Sequence, residues 1–83
     1  MRALARTADG RRRQGRYPDA ARLYRRALQL AEDVYGPRDG ELAPILGALA
    51  SVEHAQGHDA QAEQLARRAA ALSEDPGSKG LVT

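Results

Sequence analysis

Residues 14–33 read QGRYPDAARLYRRALQLAED, and residues 56–75 read QGHDAQAEQLARRAAALSED. Both stretches open on Gln-Gly, carry Arg-Arg-Ala at the same place and close on Glu-Asp, so the second is the first displaced from Gly15 to Gly57, a period of 42. The offset extends to the segments before them. It pairs Leu4 with Leu46, Ala8 with Ala50, Ala20 with Ala62, Leu23 with Leu65 and Leu30 with Leu72. Self-similarity at a period of about 20–50 residues marks a solenoid, in which one supersecondary unit stacks on its copy because neither buries its apolar face alone.

Working outward from Gly15, the apolar spacing has a helical period and nowhere alternates as a strand would. A first helix is expected over about 2–14, stopped by Gly15, and Tyr17-Pro18 restarts the chain because proline suits the first turn of a helix. From Pro18 an apolar stripe of Ala20, Leu23, Tyr24, Ala27, Leu28, Leu30, Ala31 and Val34 predicts a second helix over 18–35, with Arg22, Arg25, Arg26 and Gln29 facing away. Gly36-Pro37 breaks it. Pro44 belongs within a first turn, so a third helix is expected over 41–56, buried through Ile45, Leu46, Leu49 and Val52. After Gly57 a fourth helix over 59–74 is expected to bury Ala62, Leu65, Ala66, Ala69 and Leu72, with Arg67 and Arg68 outside. Asp75-Pro76-Gly77-Ser78 stops it, leaving 76–83 as a loose tail. The expected architecture is all-α: two tandem helix-turn-helix hairpins, 1–42 and 43–75, forming a short right-handed α-solenoid. Ala8 facing Ala20, and Ala50 facing Ala62, allow antiparallel axes to approach closely.

Composition limits the function classes. In 83 residues there are no Phe, Trp or Cys, and the 42% apolar content must be built from Ala, Leu and Tyr into a thin core. The absence of cysteine removes disulfides, thiolate catalysis and Cys-ligated zinc, and accords with a reducing cytoplasm. No run approaches the ~18 apolar residues of a membrane span, and the N-terminus shows no apolar h-region. Charge is uneven: residues 1–26 hold nine arginines against Asp9 and Asp19, and the remainder holds four basic and nine acidic side chains. Such a split directs acidic partners to one end, or favours contact between copies.

These residues resemble the tetratricopeptide repeat. Its pattern of a large apolar residue, a small one, Gly-x-Tyr-x-x-Ala, an aromatic and another Ala is matched by Leu4, Ala8, Gly15, Tyr17, Ala20, Tyr24 and Ala27. The second copy supplies Leu46, Leu49, Ala50, Gly57, Ala62, Leu65 and Ala69, with Asp59 and Ala66 in place of the aromatics. The period and the run Leu23–Leu30 followed by Gly36-Pro37 look like the long subtype of kinesin light chains. The resemblance implies a noncatalytic protein-binding module, in which the first helix of each hairpin lines a concave groove that receives a peptide or helix. The subtype's asparagine pair is replaced by Ala5-Arg6 and Gly47-Ala48, and the Lys/Asn set that clamps a C-terminal carboxylate is absent.

The groove side of the first helix offers Arg2, Asp9, Arg12 and Arg13; the third helix offers Ser51, His54 and Ala55. Arginine there suits an acidic protein or peptide segment, since its planar fork binds carboxylates bidentately. Arg11-Arg12-Arg13 also stabilises a helix C-terminus, and a second functional reading is nucleic-acid or anionic-surface binding through residues 2–26. No aromatic lies among these arginines to stack a base. His54 and His58 are four apart, an interval that suits a shared metal, but Gly57 between them is expected to swing His58 away, and no further ligand pattern supports a site. Ser51 with His54 lacks an oxyanion hole and an orienting group, so no catalytic residue, cofactor or metal is expected. Tyr17 and Tyr24 read as core. Because solenoids generally need about three repeats, the chain is expected to belong to a longer array or to self-associate.

Overall fold

The computed structural model describes residues 2–73 as four α-helices and one 3₁₀ turn: α1 (Arg2–Arg13), α2 (Tyr17–Tyr35), the turn (Gly40–Leu42), α3 (Ala43–Ala55) and α4 (Asp59–Ser73). They form two antiparallel hairpins, α1–α2 and α3–α4, stacked because α2 also packs along α3. The expected tail over 76–83 lies outside the described residues.

Both hairpin turns are built alike. Gly15 and Gly57 adopt φ of 78° and 84°, the left-handed conformation that releases the helix end. In the first turn Arg16 N–H donates to Arg11 C=O at 2.8 Å and Gly15 N–H to Arg12 C=O at 2.9 Å. In the second His58 N–H donates to Glu53 C=O at 2.8 Å and Gly57 N–H to His54 C=O at 2.9 Å. This paired pattern closes a Schellman cap and satisfies carbonyls that the helix end would leave free. The same bonds recur 42 positions apart, so the sequence repeat is a repeat of backbone geometry.

The link between hairpins uses different chemistry. Gly36 N–H caps α2 on Glu32 C=O at 2.8 Å, Pro37 prevents continuation, and Asp39 accepts from Glu41 N–H at 2.8 Å to start the 3₁₀ turn. Pro44 sits in the first turn of α3, where its missing N–H costs nothing.

The core has two continuous parts. One joins Ala8 of α1, Ala20, Ala21 and Tyr24 of α2, and Leu49 and Val52 of α3; the other joins Ala31, Leu42 and Leu46. Leu28 and Leu65 pack against both. Ala8 and Ala20 are fully buried, so the first hairpin closes on small side chains while Tyr24 supplies bulk.

Several expected core positions lie open. Leu30 is 38% and Val34 65% exposed, and Ala66 is exposed on α4. Leu72, which corresponds to Leu30, packs on the Ala31–Leu42–Leu46 cluster because α2 and the turn precede it. Among the described residues Leu30 has no such preceding layer, and Ala66 no following one. Two arginines assigned to the outside instead bridge elements: Arg25 of α2 donates to Glu53 of α3 at 2.9 Å, and Arg68 of α4 to Glu32 of α2 at 2.5 Å and to Pro37 C=O at 3.1 Å.

Candidate functional site

α1 positions the expected first-hairpin residues along its polar side. Arg2 and Arg13 are exposed. Arg2 lies at the rim of a depression of about 180 Å³ with Ala5, Tyr35, Glu41 and Ile45, where α1, α2 and α3 meet. Asp9 is turned toward α2: its carboxylate accepts a hydrogen bond from the Tyr24 hydroxyl, and the Arg12 guanidinium stands 3.8 Å from the same oxygen. Burial, with the hydrogen bond to Asp9 next in weight, pushes the Tyr24 pKa up to about 12. Asp9 therefore fixes Tyr24 and holds Arg12 at the edge of the hairpin.

On α3 the Ser51 hydroxyl donates back to Gly47 C=O at 3.2 Å, a bond that leaves no activated nucleophile. His54 Nδ1 lies 3.0 Å from Asp59 across the turn, and Ala55 is exposed at the helix end. Among the described residues no hydrogen bond or ion pair joins Ser51 or His54 to the α1 set. The two histidines do not converge. Each faces a carboxylate five residues away, His54 toward Asp59 and His58 toward Glu53, the latter at 3.3 Å. His58 is thus turned from His54 toward Glu53, and both imidazoles remain exposed, as expected of histidines that share no metal. No group of three His, Cys, Asp or Glu able to hold a metal occurs among the described residues.

The most constrained polar cluster is one that motif reading passes over. Glu53 is 2% exposed, and its carboxylate accepts from Arg25 at 2.9 Å and Gln56 at 3.1 Å while facing His58. A buried carboxylate is tolerable only when paired and hydrogen-bonded. With Arg25, Leu28, Leu49, Leu65 and Arg68 it lines a depression of about 440 Å³ between α2, α3 and α4. One signal was present in the sequence: Glu53 continues the spacing of Leu46, Leu49 and Ala50, so a charge falls on the apolar stripe of α3. Its partner Arg25 lies 28 positions away. The Arg25 and Arg68 contacts join α2 to α3 and α4, while Gln56 and His58 reach Glu53 from the turn that follows it.

The arrangement is a pair of helical hairpins with exposed basic and apolar surface. A family model described as tetratricopeptide repeat matches residues 1–75. The chain belongs to the tetratricopeptide repeat family. No match was found among curated proteins or among solved structures. Tetratricopeptide repeats generally mediate protein–protein interactions and typically act as noncatalytic scaffolds. Among the described residues no helix is long and apolar enough to cross a membrane.

Proposed function

We propose that this tetratricopeptide repeat chain is a noncatalytic interaction scaffold whose α1 and α3 side receives an acidic peptide or helix of a partner protein. Its units are 1–42 and 43–75, of the long kinesin-light-chain-like kind, and Arg2, Arg12 and Arg13 are the carboxylate-binding side chains, with Ser51 and His54 as further contacts at the far end. The observation that carries this reading is the concentration of nine of thirteen basic residues within 1–26, on a family whose members generally bind proteins. Arg12 and Arg13 stand beside one another at the end of α1, and Asp9 engages only Arg12. The test is a titration of the chain with a Glu-rich helical peptide, read by fluorescence anisotropy. Arg12→Glu/Arg13→Glu is expected to weaken binding about tenfold or more, because like charges then face one another across the contact. Tighter binding of duplex or single-stranded nucleic acid than of the peptide, with a steep salt dependence, would assign the arginines to phosphates instead.

A further inference from the structure

The offset of 42 that relates the hairpins also relates the surfaces by which they stack. α2 presents Arg25, Leu28 and Glu32 to the second hairpin: Arg25 meets Glu53 at 2.9 Å, Glu32 meets Arg68 at 2.5 Å, and Leu28 lines the same depression as Leu65 between them. Moved back by 42 positions, the receiving residues become Arg11, Leu23 and Arg26, with Leu4 for Leu46 and Leu30 for Leu72. Structure supports the transposition beyond the shared turn geometry. Arg11, Asp19, Arg22 and Leu23, counterparts of Glu53, Gln61, Gln64 and Leu65, line a depression of about 230 Å³ at the outer end of the first hairpin.

Among the described residues no element covers this end face. Leu30 is 38% exposed, Arg26 is exposed, and among the described residues no ion pair engages Arg11 or Arg26. Asp19 nearby is already held by Arg16 at 2.8 Å and Arg22 at 3.0 Å. The decisive difference from the internal junction is one reversed charge: Arg11 stands where Glu53 stands. An occupant seated as α2 is seated must therefore carry a carboxylate where α2 carries Arg25, and keep one where α2 carries Glu32.

We infer that the outer end of the α1–α2 hairpin is a docking face for a helix of another protein that carries an acidic residue, a large apolar residue and a second acidic residue at positions i, i+3 and i+7. The carboxylates meet Arg11 and Arg26, and the apolar side chain enters between Leu23 and Leu30. This face is separate from the Arg12 and Arg13 surface, so either can fail without the other. A second copy of the chain fits poorly. Its α4 offers Arg67 and Ala70 at the first two positions, which sets Arg67 against Arg11 and leaves the volume of Leu28 unfilled.

The probe is the α2 sequence itself, residues 17–35 as a lactam-stapled peptide, made unaltered and with Arg25→Glu. The altered peptide carries the acid, Leu28 and Glu32 in the required spacing. It is expected to bind the full chain about tenfold or more tightly than the unaltered peptide. Arg11→Glu in the chain is expected to reverse that preference, because it restores the charge pair of the internal junction; Arg26→Glu should weaken both peptides, and Arg67→Glu on the exposed side of α4 should change neither. Equal affinity of the two peptides, no binding of either at submillimolar concentration, or an unchanged preference in Arg11→Glu would overturn the proposal. So would self-association of the unaltered chain that Arg11→Glu abolishes.

Discussion

Two side chains carry the most at the scale of single residues, and they differ in what their loss exposes. Tyr24 fills the first core region and anchors its hydroxyl on Asp9. Tyr24→Ala is expected to cost about 3–5 kcal/mol in chemical denaturation, the range for deleting a buried aromatic. Its ionisation adds a pH signature. The folded protein keeps the phenolic proton up to about pH 12, whereas the unfolded chain releases it near the ordinary value of 10.0. Stability from this group is fully present below pH 10, falls as pH rises toward 12, and amounts to about 3 kcal/mol at most. Tyr24→Phe should flatten that alkaline loss.

Glu53 behaves otherwise. Arg25→Met leaves a buried carboxylate with fewer donors and is expected to cost about 1–3 kcal/mol. Glu53→Met removes the buried charge along with its desolvation, while the half-exposed Arg25 and His58 turn to water. It should therefore cost less than Arg25→Met in the same denaturation measurement. The reverse order would mean that the ion pair itself, rather than relief of a buried charge, holds α2 to α3.

At the scale of elements, glycine position separates helix ends from helix interiors. Gly10 and Gly47 lie within α1 and α3, and a Cβ added at either meets no atom within 4 Å. Gly10→Ala and Gly47→Ala should each raise stability by about 0.5–1 kcal/mol. Gly15→Ala and Gly57→Ala have the same open space but require φ near 80°, so each should destabilise by about 1–2 kcal/mol. Thermal melts of the four variants check the contrast. The turns were readable in the sequence because they depend on local chemistry, Gly15 and Gly57 after helix ends and Gly36-Pro37 at the link, but the third helix expected over 41–56 starts later, at Ala43, because residues 40–42 form the 3₁₀ turn capped by Asp39. The exposure of Leu30, Val34 and Ala66 was not readable. A stripe records which face of a helix is apolar, but whether another layer covers that face depends on neighbours distant in sequence. The charge that Glu53 places on the apolar stripe of α3 was visible in the sequence, but its partner was not, since Arg25 lies 28 positions away on another helix.

At the scale of the whole molecule, the two hairpins are alike in backbone and unlike in charge. The first hairpin concentrates arginine on α1 and α2 and leaves Leu30 and Leu23 at its outer end. The second presents Glu63, Ala66, Arg67, Ala70 and Ser73 on the outer side of α4, all exposed, and its arginine there is paired with Glu63 at 3.4 Å. The scaffold is thus polarised, with recognition expected on the first hairpin and little on α4. Family membership was readable from the spacing of Leu4, Ala8, Gly15, Ala20 and Ala27. The sequence offered the proposed site only as an excess of arginine in the first hairpin, and the partners of Arg25 and Arg68, 28 and 36 positions away, emerge only from the packing.

The most direct test of this polarity is an amide-resolved NMR titration of the 83-residue chain with a Glu-rich helical peptide. The account predicts shifts on α1 and the neighbouring side of α3, Ser51 and His54 included, with Ala66, Ala70 and Ser73 of α4 unmoved. Shifts centred on α4, or none up to millimolar peptide, would contradict it.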